Sequence, residues 1–377
     1  MCLLAPLILF QKLKKRKLKI LILYTYNQGL LSNFFQELSE KMHQDGFEVV
    51  NFYLKHQKDY FVQNGVSIYG DKKEGYFNTY FKIYKFIKKE KPDVIISNFS
   101  YINPAVLAGR LLGVKYNIAW FHTAYGHTKP SFIKVRNKTM YLNMASLVLA
   151  NSKGLQEEMH TVYKVPRNRT RRVPFWTNIG DYKACAKTLH TLNKTKAFKI
   201  GCPGRLVSDK NHQTVIKAIR ALKSDRKVEL YIAGNGAYKQ ELEALVEQLE
   251  LNKQVVFLGN LSTIEMVAFY KSMDVVVLPS YHEAFGLVFI EAIALGTPVI
   301  VSSKFGALDF IDKEQFLLNS ITFNPNAVAD LIPRLQVYVD HKGLTTNYFR
   351  DLYAKTFKKE VIYQSIKNII IHPKTID

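Results

Sequence analysis

Two glutamates lie eight residues apart in one of the more apolar stretches of the chain, PSYHEAFGLVFIEA at residues 279–292. The pattern predicts a strand, DVVVLPS, then a turn that holds Glu283 and Gly286, then a helix, LVFIEAIAL, that holds Glu291. A separation of about 9 Å argues against two carboxylates that share one proton. The helix start between them offers free backbone N–H groups, which suit a phosphate or a sugar hydroxyl. We therefore expect the two glutamates to have separate tasks.

Glu291 has two interpretations. A glutamate in an arbitrary helix usually lies on its surface, because a carboxylate is seldom buried without a partner. The neighbours Val288, Ile290 and Ala292 indicate instead that much of this helix is buried. If Glu291 points inward, it needs a partner.

Two other turns carry groups that suit a phosphate. The turn GCPGRLVSDKNHQ places Arg205 and Lys210 five residues apart after a predicted strand, and a guanidinium with an ammonium group suits a diphosphate. The turn IAGNGAY brings Gly234 and Asn235 to another strand end. It lacks the third glycine and the acidic residue of a dinucleotide fingerprint, which disfavours NAD. Each turn alone is weak evidence, since a basic loop residue is usually just solvated.

The elements that must position these turns alternate between strand and helix. At 377 residues the chain exceeds the usual size of about 100 to 200 residues per domain, so we expect two domains. The alternation pauses at residues 169–199, which are polar and basic, and we interpret this stretch as an interdomain linker. The pattern predicts two doubly wound α/β domains with a cleft between the carboxyl ends of their strands. The last stretch, TTNYFRDLYAKTFKKEVIYQSIKNII, predicts one long or broken amphipathic helix.

The net charge of +22 belongs mainly to the first half of the chain. Residues 1–190 hold 30 basic and 12 acidic side chains, and residues 191–377 hold 23 and 19. Nucleic acid, anionic lipid or a polyanionic substrate could meet such a surface, but no zinc-finger, RNP or basic-zipper pattern is present, so we expect no nucleic acid. The three cysteines have neither disulfide-framework nor metal-ligand spacing, as is typical of a reducing cytoplasm.

Two segments could meet a membrane surface. The start, MCLLAPLILFQKLKKRK, is too short to span a bilayer, and its charge follows the apolar run, unlike a signal peptide. It is a shallow anchor or a dispensable extension, with Lys12 to Lys19 placed to meet anionic lipid. Farther on, Lys129, Lys134, Arg136 and Lys138 interleave with apolar residues. A solvated basic face explains this second segment equally well.

The three turns, in this order and spacing, resemble glycosyltransferase family 4, the retaining sugar transferases with the GT-B fold. The similarity covers residues 199 to about 303 closely, and the two glutamates in their Phe-Gly-Leu context are its most specific part. It implies an α/β fold with two Rossmann-like, doubly wound domains that face each other across a cleft. The implied parts are a basic extension at 1–17, an acceptor-binding domain at 18–180, a linker at 181–198, a nucleotide-sugar domain at 199–343 and a terminal helix at 344–377 that packs on the first domain.

The resemblance also implies roles for individual residues. Arg205 and Lys210 would hold the donor diphosphate, Glu283 would contact the donor sugar, and Glu291 would bind the ribose. The remaining donor contacts implied are backbone atoms of Ala284, Phe285, Gly286 and Leu287, and the residues that flank the base, Gly234, Asn235 and Gly259. In the first half His122 matches a histidine near the donor sugar, although a histidine at a strand end is otherwise more often structural. Gly29 matches a glycine near the phosphates, although NQGLL replaces the usual double glycine.

The activity implied is transfer with retention at the anomeric carbon, with no cofactor and no metal. Glu283, His122, Arg205 and Lys210 would be the catalytic residues. The partners would be a nucleotide sugar, first of all a UDP-sugar, and a glycan or lipid-linked acceptor of bacterial cell-surface polysaccharide. The setting would be the cytoplasm, with the inner face of the membrane as a surface for docking. A nucleotide-sugar epimerase and a catalytically silent partner subunit remain as alternatives.

Overall fold

The computed structural model describes residues 17–27, 29–55, 59–122, 131–182 and 196–371. These residues form two sheets, one of eight strands and one of six. The predicted extension before residue 17, most of the predicted linker and Lys129 lie outside the described residues.

The first sheet has a parallel centre and an antiparallel edge. Its strands are β1 (Lys19–Leu23), β2 (Glu48–Lys55), β3 (Asp59–Gln63), β4 (Val66–Lys72), β5 (Val94–Asn98), β6 (Tyr116–Phe121), β7 (Leu147–Ala150) and β8 (Thr170–Arg172). They lie in the order β3-β4-β2-β1-β5-β6-β7-β8, and only β3 and β4 pair antiparallel. The alternation pattern predicts the parallel centre but misses this hairpin. It also misses β8, which lies in the polar stretch interpreted as part of the linker.

Helices cover both faces of this sheet. They are α1 (Leu30–Gln44), α2 (Tyr76–Glu90), α3 (Ile102–Leu111), α4 (Phe132–Met144) and α5 (Lys153–Thr161). Phe34 of α1 packs in the same cluster as Ile20 of β1, whereas Ile83 of α2 packs with Leu21. Because successive side chains of a strand point to opposite faces, β1 is buried on both sides.

The second sheet is parallel throughout. Its strands are β9 (Phe198–Pro203), β10 (Val228–Ala233), β11 (Val255–Gly259), β12 (Val275–Leu278), β13 (Val299–Ser302) and β14 (Thr322–Phe323), in the order β11-β10-β9-β12-β13-β14. The helices around it are α6 (His212–Ala221), α7 (Lys239–Gln248), α8 (Thr263–Ser272), α9 (Leu287–Ala294), α10 (Leu318–Ile321) and α11 (Val328–Val339). The continuous apolar runs of β12 and β13 are typical of strands covered on both faces.

The C-terminal stretch forms two helices, α12 (Thr346–Thr356) and α13 (Lys359–Ile371). Helix α12 packs against α9 of the second sheet, and α13 lies against α1 of the first. Tyr363 donates a hydrogen bond of 2.6 Å to Asp45 at the end of α1, and Lys359 pairs with Glu37 at 3.1 Å. The end of the chain therefore ties the second sheet to the first.

The two sheets share one apolar core near the cleft. The ring of Phe175, after β8, meets the ring of Phe285, after β12, edge to face with 5.2 Å between centroids. At a second contact the backbone N–H of Lys153, at the start of α5, donates to the carboxylate of Asp309 at 2.6 Å. Both contacts lie at carboxyl ends of strands, so these ends face each other. Among the described helices, none has the length and hydropathy that a membrane crossing requires.

Candidate active site

The turn after β12 is shaped by a glycine and by a neighbouring loop. Gly286 has φ of +98°, a conformation that side chains disfavour, and a Cβ there would overlap with the ring of Phe305. The backbone of Glu283 bonds on both sides to the loop after β13, with Glu283 N donating to Lys304 O at 3.2 Å and Gly306 N donating to Glu283 O at 3.1 Å. These two hydrogen bonds to the loop after β13 therefore hold the turn in place. Helix α9 begins directly after Gly286, and its first N–H groups face the cleft edge.

Glu283 and Lys210 form an ion pair between two turns. Lys210 ends a 3₁₀ turn after β9, and its ammonium group donates to the carboxylate of Glu283. Both side chains are partly exposed, at 18% and 16%, so a ligand can reach the pair. Arg205 belongs to the same turn and is exposed, and within the described residues its guanidinium has no ion-pair partner. Two cations and one carboxylate thus line this edge of the second sheet.

Glu291 points into the protein and has a partner that the sequence did not indicate. It is buried in α9 and accepts a hydrogen bond of 2.9 Å from the hydroxyl of Tyr270 on α8. Burial raises the pKa of Glu291 to about 7, and the bond from Tyr270 opposes that rise. The inward interpretation of Glu291 is the one that this geometry supports. The carboxyl group lies about one helical turn beyond the start of α9.

The glycine turns of the neighbouring strands pack backbone on backbone. A Cβ on Gly234, which has φ of +139°, would overlap with the carbonyl oxygen of Gly204. Gly234 N donates to Gly259 O at 2.7 Å, which joins the ends of β10 and β11. Asn235 is exposed, and its side chain accepts from Gly236 N at 2.9 Å within its own turn. The backbones of these turns therefore approach each other more closely than residues with a side chain would allow.

Gly29 lies on the opposite side of the cleft, where it caps α1. Its backbone is extended, with φ of −81°, and its N–H donates to the side chain of Asn27 at 2.8 Å. The first N–H groups of α1 follow it and have no partner within the helix. Gly29 is therefore at a helix start, as a phosphate contact would require.

His122 lies at the carboxyl end of β6, between two asparagine side chains. Its Nδ1 is 2.7 Å from Asn151 Oδ1, and its Nε2 is 2.8 Å from Asn98 Oδ1. Burial lowers the pKa of His122 to about 4 in the ligand-free protein, and the bond with Asn151 opposes this shift. The ring also lies 5.5 Å from that of Phe175, which contacts Phe285. One aromatic ring therefore separates His122 from the turn of Glu283.

Comparisons with known proteins agree with this arrangement. The model of Glycosyltransferase Family 4 matches residues 31–178, which hold the first sheet from α1 onward. The model of Glycosyl transferases group 1 matches residues 190–343, which hold the second sheet. The chain belongs to glycosyltransferase family 4. Three of its implied donor-site turns, those after β9, β10 and β12, fall within the second match.

Curated relatives match part of the length of this chain. An uncharacterised glycosyltransferase of Methanocaldococcus jannaschii is 30% identical over 216 residues, 55% of each chain. The alpha-monoglucosyldiacylglycerol synthase of Streptococcus pneumoniae is 37% identical over 42% of this chain and 40% of its own. A D-inositol 3-phosphate glycosyltransferase of Corynebacterium jeikeium is 27% identical over 60% of each. The chain thus spans about half the length of these relatives.

Solved structures of GT-B glycosyltransferases share the fold of this chain over nearly its whole length. Sucrose-phosphate synthase from Thermosynechococcus elongatus has a TM-score of 0.74 at 21% identity, over 94% of this chain and 98% of that one. HepE of Anabaena, solved with UDP-glucose, has a TM-score of 0.73 at 19% identity, over 94% and 99%. The GT-B fold expected from the sequence, with two Rossmann-like domains, is therefore confirmed.

The sequence patterns missed several residues around the candidate site. Tyr270, Asn98 and Asn151 contact predicted site residues but lie on other elements, so no spacing rule joins them to Glu291 or His122. Buried Asn98 and Asn151 each follow or end a buried strand at the cleft edge, and this was the available signal.

Two lysines grouped with membrane-facing residues are turned inward. Lys19 pairs with Glu48 at 2.7 Å and with Glu90 at 2.9 Å. Lys138 donates to Asn103 at 3.3 Å, and burial lowers its pKa to about 8. The prediction that these two lysines face lipid is wrong, whereas Lys134 and Arg136 are exposed. In the described part of the chain, no three His, Cys, Asp or Glu side chains are placed to hold a metal ion.

Proposed function

We propose that the protein transfers a hexose from a UDP-sugar to a glycan or lipid-linked acceptor, with retention at the anomeric carbon and without a metal ion. The observation that carries this proposal is the grouping of Lys210, Glu283 and Arg205 at the start of α9, with His122 one ring away across the cleft. A cationic group beside a helix start is suited to a diphosphate. A carboxylate at the same point is suited to sugar hydroxyls.

The ion pair suggests how the donor is received. In the ligand-free protein Lys210 is neutralised by Glu283, and Arg205 is left as the exposed cation. An arriving diphosphate meets Arg205 first, and its charge then competes with Glu283 for Lys210. The carboxylate of Glu283 is released in part to accept hydrogen bonds from the sugar hydroxyls. Binding of the diphosphate and orientation of the sugar are coupled through this one lysine.

The chemical step needs a leaving group, a proton acceptor and a stabilised charge. The bond between the anomeric carbon and the diphosphate oxygen breaks, and the bond to the acceptor oxygen forms on the same face of the sugar. The acceptor proton passes to the departing phosphate oxygen. Arg205, Lys210 and the N–H groups at the start of α9 stabilise the negative charge on the diphosphate, the task that a metal ion performs elsewhere. Glu283 orients the sugar and forms no covalent bond.

Three features support a UDP-sugar as the donor. Buried Glu291 lies in the first half of α9, within reach of a ribose whose phosphates lie at the helix start. The glycine turns after β10 and β11 offer space for a base. HepE of Anabaena, with the same fold, was solved with UDP and with UDP-glucose.

The test is a donor and product experiment. The purified protein is screened against UDP-glucose, UDP-galactose, UDP-N-acetylglucosamine and GDP-mannose by thermal shift, because a ligand of the native state raises the melting temperature. Turnover with the stabilising donor is then measured in EDTA, and NMR gives the anomeric configuration. Retention with unchanged activity in EDTA supports the proposal. An inverted product, loss of turnover in EDTA, or release of an epimerised free sugar without acceptor contradicts it.

The first domain exposes apolar side chains on two of its helices, and these favour a lipid-linked acceptor at a membrane. We call these side chains the aromatic rim and define it as Tyr76, Phe77 and Phe81 of α2 with Phe132 and Ile133 of α4. Phe77 is 85% exposed and Phe132 is 80% exposed. Helix α2 follows the carboxyl end of β4 and α4 follows that of β6, so both helices begin on the cleft side of the sheet.

Basic side chains lie on the same two helices as the aromatic rim. Lys85 lies over the ring of Phe81 at 4.2 Å, and Lys134 and Arg136 are exposed on α4. Aromatic residues with interleaved cations suit the interface of an anionic bilayer. Relatives named for diacylglycerol glycolipid and O-antigen synthesis agree with an acceptor of this kind. We therefore place the protein in the cytoplasm, docked on the inner face of the membrane that carries its acceptor.

Vesicles test this docking directly. Vesicles of phosphatidylcholine with phosphatidylglycerol should sediment with the protein at low salt and release it at high salt, because the lysine contribution is screened. Phosphatidylcholine alone should bind it far less. Equal binding to both vesicle types, or binding to neither, contradicts the docking, and neither result affects the assignment of the donor.

A further inference from the structure

The amide groups on either side of His122 have fixed orientations. Asn151 Nδ2 donates to Val173 O at 2.7 Å, and the indole N–H of Trp120 donates to Asn151 Oδ1 at 3.2 Å. A carbonyl oxygen only accepts and an indole N–H only donates. Both contacts therefore require Asn151 to present its oxygen, and not its NH₂ group, to His122.

Asn98 is fixed in the same way from the other side. Its Nδ2 donates to Leu23 O at 3.1 Å, which leaves Oδ1 facing His122 Nε2. Rotating this amide would place Oδ1 against the carbonyl oxygen of Leu23, and the bond would become a repulsion. Asn98 and Asn151 are both buried, so water cannot replace a lost partner at little cost.

Each ring nitrogen of His122 thus faces an acceptor. A neutral imidazole carries one N–H, so one nitrogen would present its lone pair to an amide oxygen. Only the imidazolium, with two N–H groups, satisfies both contacts. In either neutral form, one hydrogen bond is lost and a repulsive contact takes its place.

Burial of the His122 ring opposes its protonation, whereas the two amide oxygens favour it. Besides the amides, the described contacts of His122 are the rings of Phe35 on α1, Phe99 after β5, Trp120 on β6 and Phe175 after β8. None of these four side chains is titratable, so no carboxylate among them balances a positive charge. Desolvation therefore keeps the ring neutral in the ligand-free protein, in line with its lowered pKa.

We propose that Asn98 and Asn151 are positioning residues that hold His122 as a doubly protonated imidazolium once the donor diphosphate is bound. This inference rests on the proposed function, because the diphosphate supplies the missing negative charge. His122 then acts as a fixed cation with both N–H groups engaged, and it does not serve as a base for the acceptor hydroxyl. Donor binding takes up one proton from solvent, and that proton goes to a ring nitrogen of His122.

The first experiment follows the ring itself. Protein with ¹⁵N-labelled histidine is titrated from pH 5 to 8 with UDP, with uridine and without ligand, and the ring nitrogen shifts distinguish imidazolium from each neutral tautomer. With saturating UDP, His122 should be doubly protonated at about pH 7. Without ligand, or with uridine, which lacks phosphate, it should be neutral. The His122→Gln variant assigns the signal.

Proton uptake gives a second readout on the same complex. Calorimetric titration of UDP in buffers of different ionisation enthalpy should show uptake of up to about one proton per UDP at neutral pH. The Asn98→Leu variant removes one acceptor and should reduce this uptake. Asn117→Leu is the matched control, because Asn117 is a buried amide on β6 whose Nδ2 donates to Val106 O at 2.9 Å, within α3. It should leave uptake unchanged.

The pH profile of transfer separates this role from a purely structural one. If the imidazolium is the active form, kcat, which reports the donor-bound enzyme, falls as pH rises through the pKa of His122. Asn98→Leu should move this alkaline limb to lower pH, and Asn98→Asp should move it to higher pH. A merely structural role would lower kcat in both variants without moving the limb.

The outcomes distinguish the inference from the function on which it rests. UDP that binds while His122 stays neutral, with no proton uptake, overturns the inference and leaves the donor assignment intact. UDP that does not bind overturns the proposed donor. The nitrogen spectrum of the unmodified protein decides the question even if both Asn98 variants fail to fold.

Discussion

The two domains present different surfaces to the cleft. On the second sheet, the described site consists of glycine turns with three charged side chains, Arg205, Lys210 and Glu283. On the first sheet, it consists of a histidine between amides, and helices of the same domain expose the aromatic rim. Under the proposed function, the first of these surfaces receives a charged, polar donor, and the second receives an acceptor that brings an apolar part.

The two halves of the chain also differ in net charge and in their exposed aromatic residues. The first 190 residues carry a net charge of +18 and the remainder +4, from 30 basic and 12 acidic side chains against 23 and 19. Among the described residues, every aromatic side chain in the set of exposed large apolar residues precedes residue 133. Exposed aromatic residues next to cations indicate a binding surface, whereas scattered exposed aliphatic residues need no explanation. This difference agrees with the proposal that the second half recognises the nucleotide sugar and the first half meets a membrane surface.

Loss of the positive charge of Lys210 should give the largest fall in activity. Lys210→Met keeps the aliphatic stem but removes the charge that the diphosphate needs, and it leaves Glu283 without its partner. We expect kcat/KM to fall by about 10³, the scale found when one preorganised charge-stabilising group is removed. Steady-state kinetics with the best donor measures this.

Lys217→Met is the matched control for this change. Lys217 is exposed on α6 in the same domain, away from the cleft edge. It should leave kcat/KM within about a factor of two, as surface changes usually do. Similar losses in both variants would mean that Lys210 acts through general charge and not through the donor site.

Substitution of Gly286 should destabilise the turn that holds Glu283. Gly286→Ala forces a side chain into φ of +98° and against the ring of Phe305. We expect a loss of about 2 to 4 kcal/mol in the free energy of unfolding, with a further loss of activity as the start of α9 shifts. Urea unfolding measures the stability.

The control for Gly286 lies in the first domain. Gly154 is in the first turn of α5, where a Cβ meets no atom closer than 4.0 Å. Gly154→Ala should be neutral or stabilise by up to about 1 kcal/mol, because alanine favours helix. Equal destabilisation by both substitutions would mean that the turn at Gly286 is no more sensitive to an added side chain than the first turn of α5.

The donor side was predictable from sequence because its determinants are local. Arg205 and Lys210 share one turn, and Glu283, Gly286 and Glu291 share one strand-turn-helix, so spacing alone places them. Their individual roles stay predictions, but their position at adjacent strand ends follows directly from a parallel sheet. The partner of Glu291 did not follow, because Tyr270 lies 21 residues earlier on another helix.

The acceptor side was less predictable because its determinants are distant in sequence. Asn98, His122 and Asn151 come from three strands, and only the register of β5, β6 and β7 brings them together. The hairpin of β3 and β4 was missed although Asn64 and Gly65, both with positive φ, form the two-residue turn that is typical of a β-hairpin. Lys19 and Lys138 had the sequence context of surface cations, and tertiary contacts turned both inward.

Glu291 should give the donor domain a distinct pH dependence of stability. Because its pKa is raised from 4.5 to about 7, the folded protein keeps a proton that the unfolded chain releases between these values. Glu291 thus contributes stability that is fully present below about pH 4.5 and is lost as pH rises through 7. Glu291→Gln cannot titrate, so its stability relative to the unmodified protein should improve by up to about 3 kcal/mol from pH 5 to 8.

Urea unfolding at several pH values measures this difference, with Glu265→Gln as control. Glu265 caps α8 on the same domain, and its hydrogen bonds to Ser262 hold its pKa below the ordinary value. Its titration therefore lies below pH 5, and the stability gap of this variant should stay constant from pH 5 to 8. A constant gap for Glu291→Gln as well would show that Glu291 is already ionised in the folded protein.

The smallest expected effect is on vesicle binding and concerns the aromatic rim of the first domain. Replacing both Phe77 and Phe132 by serine removes two of the most exposed apolar side chains without touching the core. Each ring gains about 1 to 2 kcal/mol on partial burial in a bilayer interface, so the double variant should bind anionic vesicles at least tenfold more weakly. Its melting temperature and its turnover with a water-soluble acceptor should not change.

The paired control replaces Leu317 and Val361 by serine. Both are 64% exposed, and both lie outside the aromatic rim. If vesicle binding depends on the aromatic rim, this pair should bind like the unmodified protein, although two exposed apolar side chains are again removed. Equal weakening by both pairs would mean that any exposed apolar side chain suffices. The first domain would then owe its vesicle binding to charge alone, and raising the salt concentration would abolish binding equally in all three proteins.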